Sequence, residues 1–356
     1  MATIQDVAER AGCAISTVSR VLNGSPHTTA GMRERVMAAV ADLGYEVNTI
    51  GRSLKTKQTR ALGVLIPSIT NPVFASSLAG LEEAARERGF DIIVTTSSYD
   101  PARDAEAVRA LFSRGVEGVL LTVTDPVASA ARERLAESKV PFVLLYNQPA
   151  EADTAAVTVD NRQATAELTC EALRLGHTRI GYVSGAFGSS DRARIRYRGY
   201  CDAMEAAGLA PLPAVEVPFL GGDADFAAAV AAVLDEAPRP TALLCSNDLL
   251  AIRVIAAARG LGVIVPDDLS VAGFDGIDIG RLIAPSLATI EQPAAAMGRQ
   301  AVSLLFELMT GARQPATVIM PHTFRPGGSL ASPRSNHEAA ALRAAPAEDL
   351  TGNPIS

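Results

Sequence analysis

Tryptophan is absent from the 356-residue chain, and cysteine is scarce. Cys13, Cys170, Cys201 and Cys245 are scattered without a C-x-x-C pair. That excludes a disulfide framework or a thiolate zinc site and fits reduced thiols. Histidine is as sparse: His27, His177, His322 and His337 stand at no spacing suited to a metal. Three further motifs are missing: the G-x-G-x-x-G fingerprint, the G-x-x-x-x-G-K-[ST] loop and the G-x-S-x-G elbow. Without them the glycines of GGSL and SGAFGS are simply turns. No apolar run is long enough to span a bilayer, and the polar, amphipathic start predicts no signal peptide. These absences predict a cytoplasmic, non-enzymatic protein with no cofactor, no metal and no membrane partner.

What is present is unevenly distributed. Up to residue 60 there are eight basic and five acidic residues, a balance of +3, which leaves −10 for the remainder of a chain whose total is −7. A basic end on an acidic body points to phosphate contacts at that end. The length predicts two or three domains. From Ala61 onward strands and helices alternate: ALGVLIP, DIIVTTS, VEGVLLTV and PFVLLYN, then again RIGYVSG, AVEVPF, TALLCSN and SVAGFDG, with helical segments between them. Near-continuous Val/Ile/Leu strands separated by helices predict parallel sheets covered on both faces, here as two doubly wound α/β subdomains. Ligands of such sheets bind beyond the carboxyl ends of the strands. The loops there carry Asn, Asp and Arg, types that recognise hydroxyl-rich ligands.

The first 45 residues read as three helices. Thr3 stands as an N-cap with Asp6 in the first turn, Ile4, Val7, Ala8 and Ala11 share a face, and Gly12 ends the helix. The second helix buries Val18, Val21 and Leu22 and exposes Ile15, Ser16 and Thr17, with Ser19 and Arg20 further on. Arg pairs bidentately with guanine and hydroxyl side chains reach bases or phosphates, so these types suit major-groove reading. On spacing alone a plain helical hairpin fits as well. Thr29 caps a third helix with a stripe at Met32, Val36, Val40 and Leu43, ended by Gly44.

VAERAG, STVSRVLN, the third helix ending in LGY, and N-x-x-x-R-S-L resemble the DNA-binding headpiece and hinge of the lactose-repressor (LacI) family. The resemblance runs to about residue 330. It implies an N-terminal helix-turn-helix domain over 1–47 and a hinge over 48–60. The effector-binding core of periplasmic-binding-protein type covers 61–330. Its first subdomain takes in about 61–160 and 292–322, and its second about 161–289 and 323–330. The Ala/Pro-rich segment 331–356 is expected to be a disordered tail.

The same resemblance places Ile15, Ser16, Thr17, Ser19, Arg20 and Asn23 on DNA, with Asn48, Arg52, Leu54 and Lys55 in a hinge whose Leu54 wedges into a minor-groove step. It carries effector roles to Phe74, Asn147, Arg196, Asn247 and Asp275, and less directly to Arg192 and Asp160. Against those roles, Asp160 and Asn161 also suit a crossover turn, Asn247 a helix cap, Phe74 the core, and Arg192, with Arg194 and Arg198, a solvated run of charge. Three positions depart from the family pattern. Ala14 replaces a capping serine, at a cost of roughly 1 kcal/mol. Val47 replaces a proline, and Gly51 replaces an alanine inside the hinge, at about 1 kcal/mol.

The implied protein is a homodimeric repressor on near-palindromic operator DNA, controlled by a small molecule, commonly a sugar or sugar derivative. Purine nucleobases are a family precedent, and phosphorylated sugars suit the arginines of 192–198. The alternative is a sensor or solute-binding module without DNA function.

Overall fold

The computed structural model describes residues 2–22, 24–45, 59–127, 130–149 and 154–334. Asn23, Asn48, Arg52, Leu54 and Lys55, the departures Val47 and Gly51, and the tail from residue 335 lie outside the described residues. The chain divides into two compact units, Met1–Thr59 and Arg60–Ser356.

The first unit contains α1 (Ile4–Ala11), α2 (Ile15–Leu22) and α3 (Ala30–Leu43). Thr3 and Asp6 form a reciprocal capping box: Asp6 N donates to Thr3 Oγ1 at 3.3 Å and Thr3 N donates to Asp6 Oδ2 at 2.7 Å. The bond from Thr3 N, with a second from Thr3 Oγ1 to the same Oδ2, holds the Asp6 carboxyl below its usual range. Gly12 and Gly44 end α1 and α3 at φ of 61° and 56°, the left-handed geometry that an L side chain resists. Val7, Ala8, Ala11, Val18, Val21, Val36 and Ala39 close the core. In α3 the buried positions are Val36 and Ala39, while Met32, Val40 and Leu43 sit at the margin.

In the second unit the first subdomain contains β1 (Ala61–Ile66), α4 (Pro72–Glu87), β2 (Asp91–Thr96), α5 (Pro101–Ser113), β3 (Gly118–Leu121), α6 (Ala130–Ser138), β4 (Phe142–Leu145) and β5 (Ala156–Val159). The second contains α7 (Asn161–Arg174), β6 (Ile180–Gly185), α8 (Asp191–Ala206), β7 (Ala214–Val217), α9 (Asp223–Asp235), β8 (Ala242–Cys245), α10 (Asp248–Gly260), β9 (Ser270–Asp275), α11 (Ile279–Leu282) and β10 (Ala288–Glu291). The chain then returns through α12 (Ala294–Met309) and β11 (Thr317–Met320) to the first and through β12 (Thr323–Arg325) to the second.

The first sheet has the order β11-β5-β4-β3-β1-β2 and is parallel throughout. The second, β12-β10-β9-β8-β6-β7, is parallel except at its edge, where β12 runs antiparallel to β10. Strands β5, β10, β11 and β12 are three or four residues long.

Each subdomain seats one pair of helices backbone to backbone. A Cβ at Gly80 would collide with the Ala295 carbonyl and one at Gly298 with that of Ser77, so α4 and α12 meet only because both positions lack a side chain. Gly199 on α8 faces the Arg162 carbonyl of α7 in the same way.

The expected tail start needs correction. Ala331 O accepts from Ser270 Oγ at 2.9 Å and from His177 Nε2 at 2.8 Å, and Arg334 pairs with Asp267 at 2.6 Å. Composition places these residues in the tail, but their backbone groups and one charge find partners on the second subdomain. The Pro326-Gly327-Gly328 turn also has a cause: a side chain at Gly327 would collide with the backbone of Leu287 and Ala288.

Candidate functional site

Helices that follow parallel strands start at the carboxyl edge of the sheet, and their first N–H groups need acceptors. Asn71 caps α4, Asp160 caps α7, Ser190 caps α8 and Asn247 caps α10, each through its side chain. This places polar side chains where the two sheets face each other. The cavity between them is lined by Asn71, Phe74, Tyr99, Tyr146, Arg192, Arg196, Phe219, Asn247, Asp275 and Gln292, among others. Phe74, Arg192, Arg196, Asn247 and Asp275 therefore come together, and all five are buried.

Arg196 is the most heavily engaged. Its guanidinium donates to Asn161 Oδ1 at 2.8 Å, Ser246 O at 2.6 Å and Asp275 Oδ1 at 3.3 Å, and lies 3.6 Å from the Phe274 ring centroid. Gln292 Nε2 adds a 2.7 Å bond to the same Asp275 oxygen. Burial raises the Asp275 carboxyl and lowers the Arg196 guanidinium, and each charge opposes the shift of the other. Asp275 has φ of 119°, a conformation that costs energy for a residue with a Cβ.

A second buried network joins the subdomains. Asp191 Oδ1 accepts from Asn147 Nδ2 at 2.7 Å and from Arg192 Nη1 at 2.9 Å, and Oδ2 accepts from Gln148 N at 3.2 Å. Arg192 also donates to Val123 O, and Asp191 N to Thr124 O. The start of α8 is thereby bonded into the loops after β3 and β4. Asn147 does not line the cavity: it is fully buried, and its amide is committed to Val123 N, Val123 O and Asp191. Asp160 does not line it either and serves as the cap of α7. Arg194 pairs with Asp125 at 3.3 Å and Arg198 is exposed, so the arginine run of 192–198 does not converge on one point.

The rings at the mouth carry no signal in spacing. Tyr99 stacks on Phe219, and Phe219 rests on Gly185, where a Cβ would strike its ring. Tyr146 packs edge-on against Phe74 and donates from its hydroxyl to Val73 O at 3.0 Å. Tyr99, Tyr146 and Gln292 fall in loops at strand carboxyl ends, which is the one feature that could have found them. Phe219 follows β7 and has the same position. The cavity volume is about 30 Å³, enough for a water-sized guest and far below a sugar-sized pocket.

In the headpiece, α2 presents Ile15, Ser16 and Arg20 to solvent, with Thr17 and Ser19 half-buried. Ala14 O accepts the first helical bonds, from Thr17 N and Val18 N, but its side chain offers no cap.

Residues 3–48 match the bacterial regulatory proteins of the lacI family, and residues 171–330 match the periplasmic binding protein-like domain. Catabolite control protein A of Priestia megaterium is 30% identical over 324 residues, covering 90% of this chain and 96% of that protein. The chain belongs to the lacI family. The HTH-type transcriptional repressor PurR of Photobacterium profundum is 32% identical over 310 residues, covering 86% of this chain and 92% of that protein, and the chain is a DNA-binding regulator of that kind. Among solved structures, the lac repressor dimer bound to operator and the anti-inducer ONPF superposes with a TM-score of 0.83 at 26% identity, covering 93% of this chain and 99% of that one. The transcriptional regulator CelR in complex with cellobiose follows with a TM-score of 0.68 at 26% identity, over 92% and 100% of the two chains. No described helix is long and apolar enough to cross a membrane.

Proposed function

We propose that this lacI-family protein is a cytoplasmic, homodimeric repressor that releases or grips a near-palindromic operator according to a neutral, hydroxyl-rich small molecule held in the cleft. Ile15, Ser16, Thr17, Ser19 and Arg20 read base edges and phosphates, assisted by Asn23 and by Asn48, Arg52, Leu54 and Lys55 of the hinge. Two headpieces read two half-sites, as a two-fold dimer requires.

The observation that carries the ligand class is the pairing of the cleft guanidiniums. Arg192 is neutralised by Asp191 and Arg196 by Asp275, all four being buried. A phosphorylated ligand would have to displace a carboxylate from each arginine. A sugar needs only the hydrogen-bonding edges of Asn71, Asn247, Asp275 and Gln292, with the rings of Phe74 and Phe219 beside it. CelR bound to cellobiose is a solved relative with a ligand of this type. The protein acts by binding, without turnover. Effector and operator change each other's affinity by one common factor.

Two measurements test this. Fluorescence anisotropy with DNA from upstream of the chain's own gene, titrated with salt, should show specific binding that weakens steeply as salt rises. A thermal-shift screen of neutral sugars, sugar phosphates and nucleobases should yield its hit among the neutral sugars. A sugar phosphate as the sole stabilising ligand would overturn the ligand class, and no DNA binding by folded protein at low salt would overturn the regulator.

A further inference from the structure

Asp248, the first residue of α10, is fully buried and does not line the cavity. Its Oδ2 accepts from Ile277 N at 2.8 Å, and its Oδ1 lies 2.5 Å from Thr289 Oγ1 on β10. Room for this carboxyl exists only because the neighbouring β9 position is Gly273, where a Cβ would collide with Asp248 Oδ1. The peptide it holds belongs to the turn Asp275-Gly276-Ile277. That turn is strained: Asp275 has φ of 119°, and Gly276, at 77°, leaves no space for a Cβ against Glu291. On the other side Arg325 donates to Gly276 O at 3.1 Å and to Ile277 O at 3.2 Å.

We infer that Asp248 is a positioning residue for the cleft, clamping the strained turn so that the Asp275 carboxylate stays in register with Arg196 and Gln292. Strained backbone at a binding site persists only where its surroundings over-determine it. Asp248 and Arg325 supply that constraint from opposite sides, one on the N–H group and the other on the carbonyls. The inference rests on the cleft being the ligand site only for its consequence in binding; the clamp itself is a property of the free protein.

The same contacts accommodate Asp248 in either protonation state, with different roles for Thr289. Thr289 Oγ1 lies 2.5 Å from Asp248 Oδ1 and 3.2 Å from Ile290 O, and its hydroxyl has one hydrogen. With Asp248 neutral, Oδ1–H donates to Thr289, Thr289 donates to Ile290 O, and Oδ2 still accepts from Ile277 N. Ionised, Asp248 takes the Thr289 hydrogen and Ile290 O loses its share. The charged and titratable groups around it are Asp275, Arg325 and Cys245, with Arg196 behind Asp275. Burial and the Asp275 charge push the Asp248 carboxyl up to about 8 against the opposing pull of Thr289, Ile277 and Arg325. Its carboxyl is thus held toward the neutral form, in which Oδ2 remains the acceptor for Ile277 N.

The test uses the full chain and no ligand, so it succeeds or fails independently of the effector reading. Amide exchange at Ile277 and the side-chain carboxyl carbon shift of Asp275 are followed by NMR in wild type, Asp248→Ala and Asp248→Asn. The alanine variant should speed local exchange at Ile277 by about tenfold and move the Asp275 signal. The asparagine variant, whose amide reproduces the neutral acid, should restore both. In wild type the base-corrected exchange at Ile277 should fall between about pH 6 and about pH 9, as the ionised carboxylate becomes the stronger acceptor for Ile277 N, and in Asp248→Asn it should stay flat. If the alanine variant does not fold, this pH comparison decides alone. Equal pH slopes in wild type and Asp248→Asn, or an alanine variant with an unmoved Asp275 signal, would overturn the inference.

Discussion

Tyr99 and Phe219 lie face to face across the cleft, one ring from each subdomain, with centroids 4.2 Å apart and planes 11° from parallel. Both rings line a cavity too small for a sugar, so admission of the proposed ligand is expected to part them. A double-mutant cycle on Tyr99→Ala and Phe219→Ala, read by denaturant unfolding, should give a coupling of about 0.5–1.5 kcal/mol. Each single variant should also take up ligand faster in stopped flow. Additive effects on stability, with unchanged uptake, would show that the rings do not hold the cleft shut.

The Arg196–Asp275 pair is costly to break from one side only. Asp275→Ala leaves the buried guanidinium without its counter-charge, and destabilisation of about 3–5 kcal/mol is expected. Arg196→Met with Asp275→Leu removes both charges and should recover much of that stability while abolishing ligand binding. Urea unfolding beside calorimetric titration separates the two effects.

His177 is a pH-dependent strut. Its Nε2 donates to Ala331 O, a carbonyl that can only accept, so Nδ1 accepts from Thr241 Oγ1. Burial lowers its proton affinity below the usual histidine value, the Ala331 bond opposing. A group lowered on folding is protonated more readily in the unfolded chain. Its stabilisation is therefore complete above about pH 6.5 and is lost as pH falls toward the folded value. Melting curves between about pH 7.5 and 5 should show wild type losing stability relative to His177→Gln, which cannot titrate. Parallel curves would remove His177 from the acid response.

Ala14→Ser should supply the missing cap of α2 and stabilise the headpiece by about 1 kcal/mol. Thermal unfolding of the N-terminal transition would report it, and operator affinity should rise with it. Gly51→Ala, chosen on sequence alone, should tighten operator binding through the hinge; unchanged affinity would mean that hinge helicity is not limiting.

The parts of this protein that are local in the chain were legible in the sequence. Thr3, Gly12, Thr29 and Gly44 announce the ends of α1 and α3, because caps and left-handed residues act within one turn. The Val/Ile/Leu runs announce the buried strands, and the loops at their carboxyl ends contain most of the cavity lining. Pairings between distant segments were not legible. Nothing in YNQ says that the Asn147 amide is consumed by Val123 and Asp191, and nothing in PFLGG says that Phe219 meets Tyr99. The four-residue β11 gains its identity only from pairing with β5, from a sequence position far away, and β5 lies between β11 and β4.

The threefold passage of the chain between sheets has a consequence for the order in which the protein is made. The headpiece closes its core within the first 45 residues. The first sheet lacks β11 until residue 320 has emerged, and the second lacks β12 until residue 325. Domains fold as units during synthesis, from the N-terminus onward. The headpiece is therefore complete hundreds of residues before either half of the sensor, and a nascent chain stalled between the headpiece and β11 carries a finished headpiece with no complete sheet to regulate it.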